Sequence, residues 1–447
     1  MKHVWLGVLA LCAASCAASC AASPDPVAPC TTDVQCRGDR ICHEGRCRFD
    51  QEVRAELAAR LTATNSTAGG ASEVDAGVDA VGASAVLDVA HTQAVLAERL
   101  ALPEREANRQ SMGGSAHTGR SGARGPIGTL AATPLLRTGA RIYAAPVQGA
   151  DGTLYVGSLD RSFSAFAPDG TLRWRYSGSE RFYGSAVVMR DGTIVAASHD
   201  GAVTAFDSEG RVRWRVTPGG PVDASLAIDD DDTIYVPANG LYALDARGQV
   251  RWHVATAGEV RTPPAIHPQG LILFATVDGR LYAARRDGTV AWESTLGASS
   301  DSGAAITDNG TIILGNDLGH VVAFDPRGQR LWQFPTGADV RGTPAIAPDG
   351  TIVVGSDDRQ VYGIAPDGTL RFRYTTGGRV RASARIDAEG RIYIGSQDDF
   401  VYVLASDGTL LTRHNVGNNV DATGILLEGS FIVGCDDGTV NALRAHL

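Results

Sequence analysis

The feature that most constrains this chain is a unit of about forty residues that recurs from residue 140 onward. It is easiest to see in the strings AFAPDGTLRW, AFDSEGRVRW, ALDARGQVRW, AARRDGTVAW and AFDPRGQRLW, each of which ends in tryptophan. Phe372 continues the series, and the spacings between the tryptophans are 40, 38, 40 and 40 residues: Trp174, Trp214, Trp252, Trp292 and Trp332. A period this regular indicates a repeat architecture in which each unit packs on its neighbours.

Each unit contains four short apolar segments separated by DG, NG or other glycine-containing turns, which close tight antiparallel hairpins. The second segments give the count, which is eight: LYVGS at 154, IVAAS at 194, IYVPA at 234, ILFAT at 272, IILGN at 312, IVVGS at 352, IYIGS at 392 and FIVGC at 431. The sequence therefore predicts an all-β fold, an eight-bladed β-propeller of four-stranded antiparallel blades, over residues 126–447.

The eighth unit contains only three predicted strands, which would leave an edge open to association with other chains. The segment GTLAATPLLR, Gly128 to Arg137, precedes the first blade and occupies the fourth-strand position of the repeat. We expect it to complete the last blade and close the ring, the usual solution for a radial β architecture.

The recurring tryptophans are predicted to be structural. A buried tryptophan removes roughly 150–250 Å² from water, and recurrence at one position in each blade favours packing over chemistry. We expect the tryptophans to dock neighbouring blades against one another.

The N-terminus has the layout of an export signal, over residues 1–20. Lys2 precedes an apolar run from Val4 to Leu11, followed by three copies of CAAS. A cysteine after small residues resembles the bacterial lipobox, which implies lipid attachment at Cys16 or, as the alternative, Cys20. An ordinary secretory signal or an uncleaved anchor is the competing interpretation.

A cysteine-rich segment follows, over residues 21–48. Four cysteines within eighteen residues of an exported chain favour two disulfides that staple a segment too small for its own core: Cys30, Cys36, Cys42 and Cys47. The three possible pairings stay open. A zinc site including His43 is the alternative, although CxxC pairs are missing.

Residues 49–125 are rich in alanine, glycine and serine and poor in aromatic residues, so a flexible tether is predicted there. Within it, Ser84 is a candidate cap for a helix over 84–102, which Pro103 would end. That helix is either isolated or docked on the propeller.

Aligning the first strands of the blades reveals one polar column. We predict that its eight residues ring one mouth of the central channel and form a candidate binding site for a protein, peptide or small polar ligand: Tyr143, Tyr183, Asp223, Arg261, Asp301, Arg341, Arg381 and Asp421. Arginine and tyrosine are favoured anchors at interfaces. The alternative is that neighbouring aspartates and arginines merely neutralise each other. Arg385 interrupts an otherwise aliphatic column and needs a partner or water.

Several function classes are disfavoured. A net charge of −10 argues against nucleic-acid binding. No HExxH, GxSxG or phosphate-loop motif occurs. Cys435 is interpreted as a small buried hydrophobe, and the acidic turn from Asp229 to Asp232 as a solvated loop. No catalytic, cofactor-binding or metal residues are predicted.

The repeat resembles the PQQ-like repeat family of propellers, through residues such as Ala205, Asp207, Gly210 and Trp214, over residues 108–447. The resemblance implies either a quinone-dependent dehydrogenase or the non-enzymatic lipoprotein branch that helps to assemble outer-membrane barrels. This chain departs from the familiar dehydrogenase pattern because its propeller lacks adjacent cysteines.

We rank first a lipid-anchored, non-catalytic and monomeric binding module of the bacterial cell envelope, at the periplasmic or surface side of the outer membrane. A scaffold for barrel assembly is second, and a PQQ-dependent dehydrogenase third.

Overall fold

The computed structural model of the chain describes residues 40–43, 46–49 and 108–446. The predicted lipid sites Cys16 and Cys20, the cysteines Cys30 and Cys36, and the predicted helix over 84–102 lie outside the described residues. In the cysteine-rich segment, β1 (Arg40–His43) pairs with β2 (Arg46–Phe49) in antiparallel register, which places Cys42 opposite Cys47. The disulfide pairing itself stays a prediction.

Residues 130–445 form eight four-stranded antiparallel sheets, which are the blades of a propeller. In blades 1 to 4 the strands follow chain order from the channel outward: β4 to β7 (Val147–Gln148, Leu154–Gly157, Ser162–Phe166, Leu172–Ser177), β8 to β11 (Val187–Val188, Ile194–Ala197, Val203–Phe206, Val212–Val216), β12 to β15 (Ala227–Ile228, Ile234–Ala238, Gly240–Leu244, Val250–Val254) and β16 to β19 (Ala265–Ile266, Ile272–Ala275, Arg280–Ala284, Val290–Thr295).

Blades 5 to 7 repeat this order, and blade 8 takes its outermost strand from the N-terminal side of the propeller: β20 to β23 (Ala305–Ile306, Ile312–Gly315, His320–Phe324, Arg330–Pro335), β24 to β27 (Ala345–Ile346, Ile352–Gly355, Gln360–Ile364, Leu370–Thr375), β28 to β31 (Arg385–Ile386, Ile392–Gly395, Phe400–Leu404, Leu410–Asn415), and β32 to β34 (Ile425–Leu427, Ser430–Gly434, Thr439–Ala445) with β3 (Leu130–Arg137).

The eight-bladed propeller and its closure by an N-terminal strand are therefore confirmed. β3 pairs with β34 from Leu130 opposite Ala445 to Arg137 opposite Thr439, with a register shift near Pro134. Proline lacks a ladder donor, and an outermost strand is where a sheet tolerates it.

The core consists of layers between blades. The second and third strands of most blades are buried along nearly their whole length, whereas the outer strands alternate between exposed and half-buried residues. Each hydrophobic cluster joins two neighbouring blades, as Val187 and Val203 of blade 2 do with Leu226 and Leu244 of blade 3. Ring closure thus creates the layer between blades 8 and 1, in which Leu136 packs.

The tryptophans lie between blades and are half-buried rather than fully enclosed. The indole Nε1 of Trp174 donates to Ser208 O of the next blade at 2.8 Å, and that of Trp332 donates to Pro366 O at 2.9 Å. Gly210 lies over Trp174 with φ 81°, and a Cβ there would come within 2.6 Å of the indole. Each docking turn therefore requires a glycine, because both its backbone conformation and the indole exclude a side chain.

A segment at residues 108–124, which we call the strap, crosses one end of the channel. Its backbone carbonyls accept amides from the innermost strands of six blades: Gln148, Val188, Ile266, Ile306, Ile346 and Ile386. In blade 3, the side chain of Gln110 replaces the backbone, since its Oε1 accepts Ile228 N and its Nε2 donates to Ile228 O, both at 3.1 Å.

The strap corrects the predicted boundary between tether and propeller. The composition placed residues 49–125 in the tether because they are rich in alanine, glycine and serine and poor in aromatic residues, whereas the family resemblance already began at residue 108. Residues 108–125 instead pack against the propeller, because they pair with edge amides that would otherwise be unsatisfied.

Candidate binding site at the channel mouth

The channel encloses a cavity of about 480 Å³ that extends from its mouth to Ser111 and Met112 of the strap. The structure brings all eight residues of the predicted polar column to the wall of this cavity: Tyr143, Tyr183, Asp223, Arg261, Asp301, Arg341, Arg381 and Asp421. Each of them lies four residues before its innermost strand, in the connection that enters the blade, rather than in the strand itself. The repeat alone therefore brings eight side chains to the same cavity.

One side of the mouth is a network of arginines and aspartates. Arg341 binds Asp301 at 2.7 Å and Asp339 at 2.8 Å. Arg381 binds both oxygens of Asp357, with Nε 2.9 Å from Oδ1 and Nη2 2.8 Å from Oδ2. These contacts support the neutralising interpretation for Arg341 and Arg381. Their guanidinium groups are held in place rather than free to move.

The opposite side of the mouth is aromatic. The rings of Tyr143 and Tyr183 are stacked at 6.4 Å between centroids with an interplanar angle of 20°. Arg141 Nη1 donates to the Tyr143 hydroxyl at 3.0 Å, and Arg181 Nη1 donates to that of Tyr183 at 3.3 Å. Each phenol therefore accepts from an arginine and keeps its own O–H as a donor. Unlike Arg341 and Arg381, these two tyrosines are not occupied by a carboxylate partner among the described residues of the mouth.

Sequence reasoning missed three residues that support the mouth. Each lies two positions after the second strand of its blade and contacts the mouth residue 24 positions later, in the next blade. His199 Nδ1 lies 2.5 Å from Asp223 Oδ1, and Gln397 Nε2 lies 3.0 Å from both oxygens of Asp421. Asp357 has the same relation to Arg381. The signal was present in the forty-residue alignment, as the column two positions after the buried second strand.

Three carboxyl groups near the mouth have raised pKa values. Burial raises the pKa of Asp317, and the charge of Asp301 adds to the effect. Burial is also the main cause for Asp421 and Asp436. One oxygen of Asp317 and one of Asp436 are buried without a hydrogen-bond partner among the described residues. Near the mouth, these two carboxylate oxygens can therefore still accept hydrogen bonds.

Below the mouth, hydroxyl groups line the cavity and tie successive blades together. Ser185 Oγ accepts Ala145 N at 2.9 Å, and Ser383 Oγ accepts Thr343 N at 2.9 Å, each across a separation of forty residues. Since each oxygen accepts, its O–H proton remains a donor toward the channel. Five cavity-lining side chains share this arrangement: Ser185, Ser225, Thr343, Ser383 and Thr423.

The acidic turn at Asp229–Asp232 is internally satisfied. Asp229 accepts the amides of Asp231 and Thr233 and the hydroxyl of Tyr235, and Arg286 pairs with the turn. Cys435 is 1% exposed, and burial raises the pKa of its thiol to about 12. Within the described ranges, no three His, Cys, Asp or Glu side chains are grouped to hold a metal ion. Those ranges also contain no helix long and apolar enough to span a membrane.

Comparisons with known proteins agree with this architecture. A family model described as "Outer membrane protein assembly factor BamB" matches residues 115–220, 199–345 and 317–445. No curated protein sequence matches the chain significantly.

Three solved structures share the fold. BamB from Moraxella catarrhalis is 19% identical with a TM-score of 0.59, covering 71% of this chain and 98% of that one. The computationally designed Ika8 protein is 17% identical with a TM-score of 0.60, covering 70% and 98%. A europium-containing methanol dehydrogenase is 13% identical with a TM-score of 0.61, covering 77% and 91%. At these identities the structural likeness establishes the fold alone.

Proposed function

This chain belongs to the PQQ-like repeat family described as outer membrane protein assembly factor BamB, and from that premise we propose that it is a non-catalytic, partner-binding propeller of the bacterial cell envelope. We place the partner, a protein or peptide, at the channel mouth. The observation that carries the proposal is the stacked pair Tyr143 and Tyr183 at the rim of an open cavity. Tyrosine supplies large, rigid contact area at interfaces.

The paired arginines are better suited to shaping this surface than to contacting a partner first. Arg341 and Arg381 already bind carboxylates. The aromatic side instead offers phenol hydroxyls and the exposed Arg141 and Arg181. A partner with acidic and aromatic side chains would complement it.

Site-specific photo-crosslinking tests this placement. A photoreactive phenylalanine analogue at Tyr183 should give a discrete adduct with an envelope protein in living cells. The same analogue at Leu172, which is 47% exposed on an outer strand, is the control position. The adduct at Tyr183 should be lost when Tyr143 is changed to alanine. Adducts that form only from Leu172 would contradict a partner at the mouth.

Among partner-binding roles, the family description favours assembly of outer-membrane proteins. That role was ranked second from the sequence. Deleting the gene should then lower the folded fraction of outer-membrane β-barrels, measured by their heat-modifiable mobility on gels. Unchanged barrel levels alongside a persistent Tyr183 adduct would retain partner binding and exclude the assembly role.

Export and lipid attachment at Cys16 or Cys20 belong to the same proposal, as does a monomeric propeller. Intact mass of protein from native membranes, compared with Cys16→Ser and Cys20→Ser variants, identifies the modified residue. A quinone absorbance scan of the same sample tests the dehydrogenase alternative, which rests on fold likeness alone. Stoichiometric quinone would replace the binding proposal with an oxidoreductase.

A further inference from the structure

Arg385 is a buried cation that forms no ion pair with any carboxylate of residues 108–446. It opens the innermost strand of blade 7, where the corresponding residues of the other blades are valine, alanine or isoleucine. The residue is 2% exposed. Its Nε and Nη2 atoms are buried without a hydrogen-bond partner among residues 108–446.

This fold elsewhere provides partners for its buried arginines. Arg391, in the same blade, is 11% exposed and binds the fully buried Asp387 at 2.7 Å. An unpaired buried charge costs several kcal/mol in general, whereas pairing offsets much of that cost. Burial lowers the pKa of Arg385 to about 10, so the guanidinium stays charged at neutral pH. Its unpaired N–H groups therefore need water or a bound anion as a partner.

Gly113 of the strap lies against this guanidinium, with no side chain between them. A Cβ at Gly113 would lie 3.3 Å from Arg385 Nη1 and 3.4 Å from Nη2. Met112, Gly113 and Gly114 have φ values of 62°, 75° and 114°, a run of positive values in which one member is not glycine. Left-handed backbone in a buried methionine is costly and persists where the surroundings require it.

The same loop lies against Arg385 on one side and lines the channel cavity on the other, while Arg385 itself is not part of the cavity wall. Ser111 and Met112 line the cavity, and the Ser111 hydroxyl is buried without a hydrogen-bond partner in the described part of the chain. The hydroxyl donors of Ser185, Ser383 and their equivalents line the path from the mouth. An unpartnered cation, an unpartnered hydroxyl and a donor-lined approach all favour a negatively charged ligand with oxygen acceptors.

We propose that Arg385 and Ser111 bind a small oxyanion, a carboxylate or a phosphate, at the end of the channel closed by the strap. The guanidinium fork matches the two oxygens of such a group. The site goes beyond partner binding at the mouth and does not depend on it.

Anion titrations of the full mature protein in an anion-poor buffer test this site. Isothermal calorimetry with inorganic phosphate and, separately, with sodium acetate should show saturable binding of at least one anion. Arg385→Met, which keeps the volume and removes the charge, should weaken that binding at least tenfold. Arg285→Met removes the same charge from an exposed arginine and should leave binding unchanged. Phosphate binding without acetate binding would assign the site to phosphates, and the reverse to carboxylates.

Two further variants keep the test decisive if Arg385→Met does not fold. Ser111→Ala should weaken the anion several-fold, and Arg385→Lys should keep the charge but bind less tightly, because an ammonium lacks the fork. Equal binding by the wild type and Arg385→Met would overturn the proposal. So would the lack of saturable binding of either anion.

Discussion

Asp357 of blade 6 and Arg381 of blade 7 form a two-point ion pair across a blade boundary, with Nε–Oδ1 and Nη2–Oδ2 distances of 2.9 and 2.8 Å. The Asp357 side chain is 10% exposed and also lies 3.8 Å from Arg341. One carboxylate therefore orients Arg381 and adds a longer charge contact to Arg341. This relation links the stability of the ring to the geometry of the site.

The first prediction concerns that carboxylate. Asp357→Asn should lower the free energy of unfolding by about 1.5–3 kcal/mol, the range for hydrogen bonds to charged groups. The amide removes a negative charge and turns a donor toward Arg381. Urea unfolding measures the change. Glu209→Gln, which alters a 60% exposed carboxylate paired with Arg211, is the matched control and should leave the midpoint unchanged. Equal midpoints for both variants would show that the pair contributes nothing.

The second prediction concerns pH and Asp317. Because burial raises the pKa of this group in the folded protein, the folded state holds the proton more tightly than the unfolded chain. Ionised Asp317 therefore costs stability above its folded pKa, and the cost vanishes below the unfolded value of about 3.9. Asp317→Asn should raise the melting temperature at pH 7. The corresponding gain in the free energy of unfolding should be less than about 1 kcal/mol, because Asp317 is partly exposed.

The gain from Asp317→Asn should shrink toward zero as the pH falls to 3, measured by thermal melts of both proteins across that range. A variant that is less stable at pH 7 would mean that the charge of Asp317 is needed by Arg341. That outcome would reverse the assigned sign.

The repeat made most of the fold predictable. A period of forty residues, glycine turns and eight buried second strands define the blades, and the missing fourth strand of blade 8 required a segment like Leu130–Arg137. The mouth was predictable for the same reason, since one column of an alignment becomes one ring in space. Asp357 and its equivalents lie in another column, which mixes aliphatic and polar residues and therefore gave no single signal.

The family resemblance over 108–447 includes the strap, but its contacts could not be predicted because it has no repeat of its own. It binds the innermost strands of six blades through backbone carbonyls, and carbonyls are the same in every residue. The side chains of Arg109, Gln110 and Arg120 also bind innermost strands, but isolated polar residues in a polar segment do not indicate such contacts. Arg385 was noticeable as an exception within its column, but its lack of a partner is visible only in three dimensions.

The third prediction concerns ring closure. Leu136 of the closing strand is 6% exposed and packs between blades 8 and 1. Leu136→Ala should cost about 2–5 kcal/mol, the range for buried leucine. Leu172→Ala, at a leucine that is 47% exposed, should change stability by less than about 0.5 kcal/mol. Chemical unfolding compares them. A loss confined to the closing blade, seen as a separate early transition, would contradict cooperative closure.

The fourth prediction concerns backbone conformation in the turns between second and third strands. Blade 5 has Gly319 at φ 73°, and blade 6 has Arg359 at φ 71° in the same position. A Cβ at Gly319 would lie 2.7 Å from Ala338 O. Gly319→Ala should therefore cost about 1–2 kcal/mol, since left-handed backbone alone costs that much. Arg359→Gly should be neutral or slightly stabilising. Thermal melts measure both, and equal losses would show that the turn conformation is not the determinant.

The fifth prediction concerns Gln110, the one side chain that replaces the strap backbone. It is 8% exposed, and its two hydrogen bonds to Ile228 satisfy the innermost strand of blade 3. Gln110→Ala leaves a buried amide and carbonyl unpaired, which should cost about 1–3 kcal/mol. Gln110→Glu keeps the acceptor but loses the donor, so its carboxylate would face Ile228 O, and it should be no more stable than alanine near neutral pH. Gln249→Ala, on an exposed turn, is the control.

Hydrogen exchange should show faster exchange at the Ile228 amide in Gln110→Ala, while the Ile346 amide stays protected, because each blade bonds to the strap separately. Loss of protection at both amides would instead mean that the strap detaches as one unit.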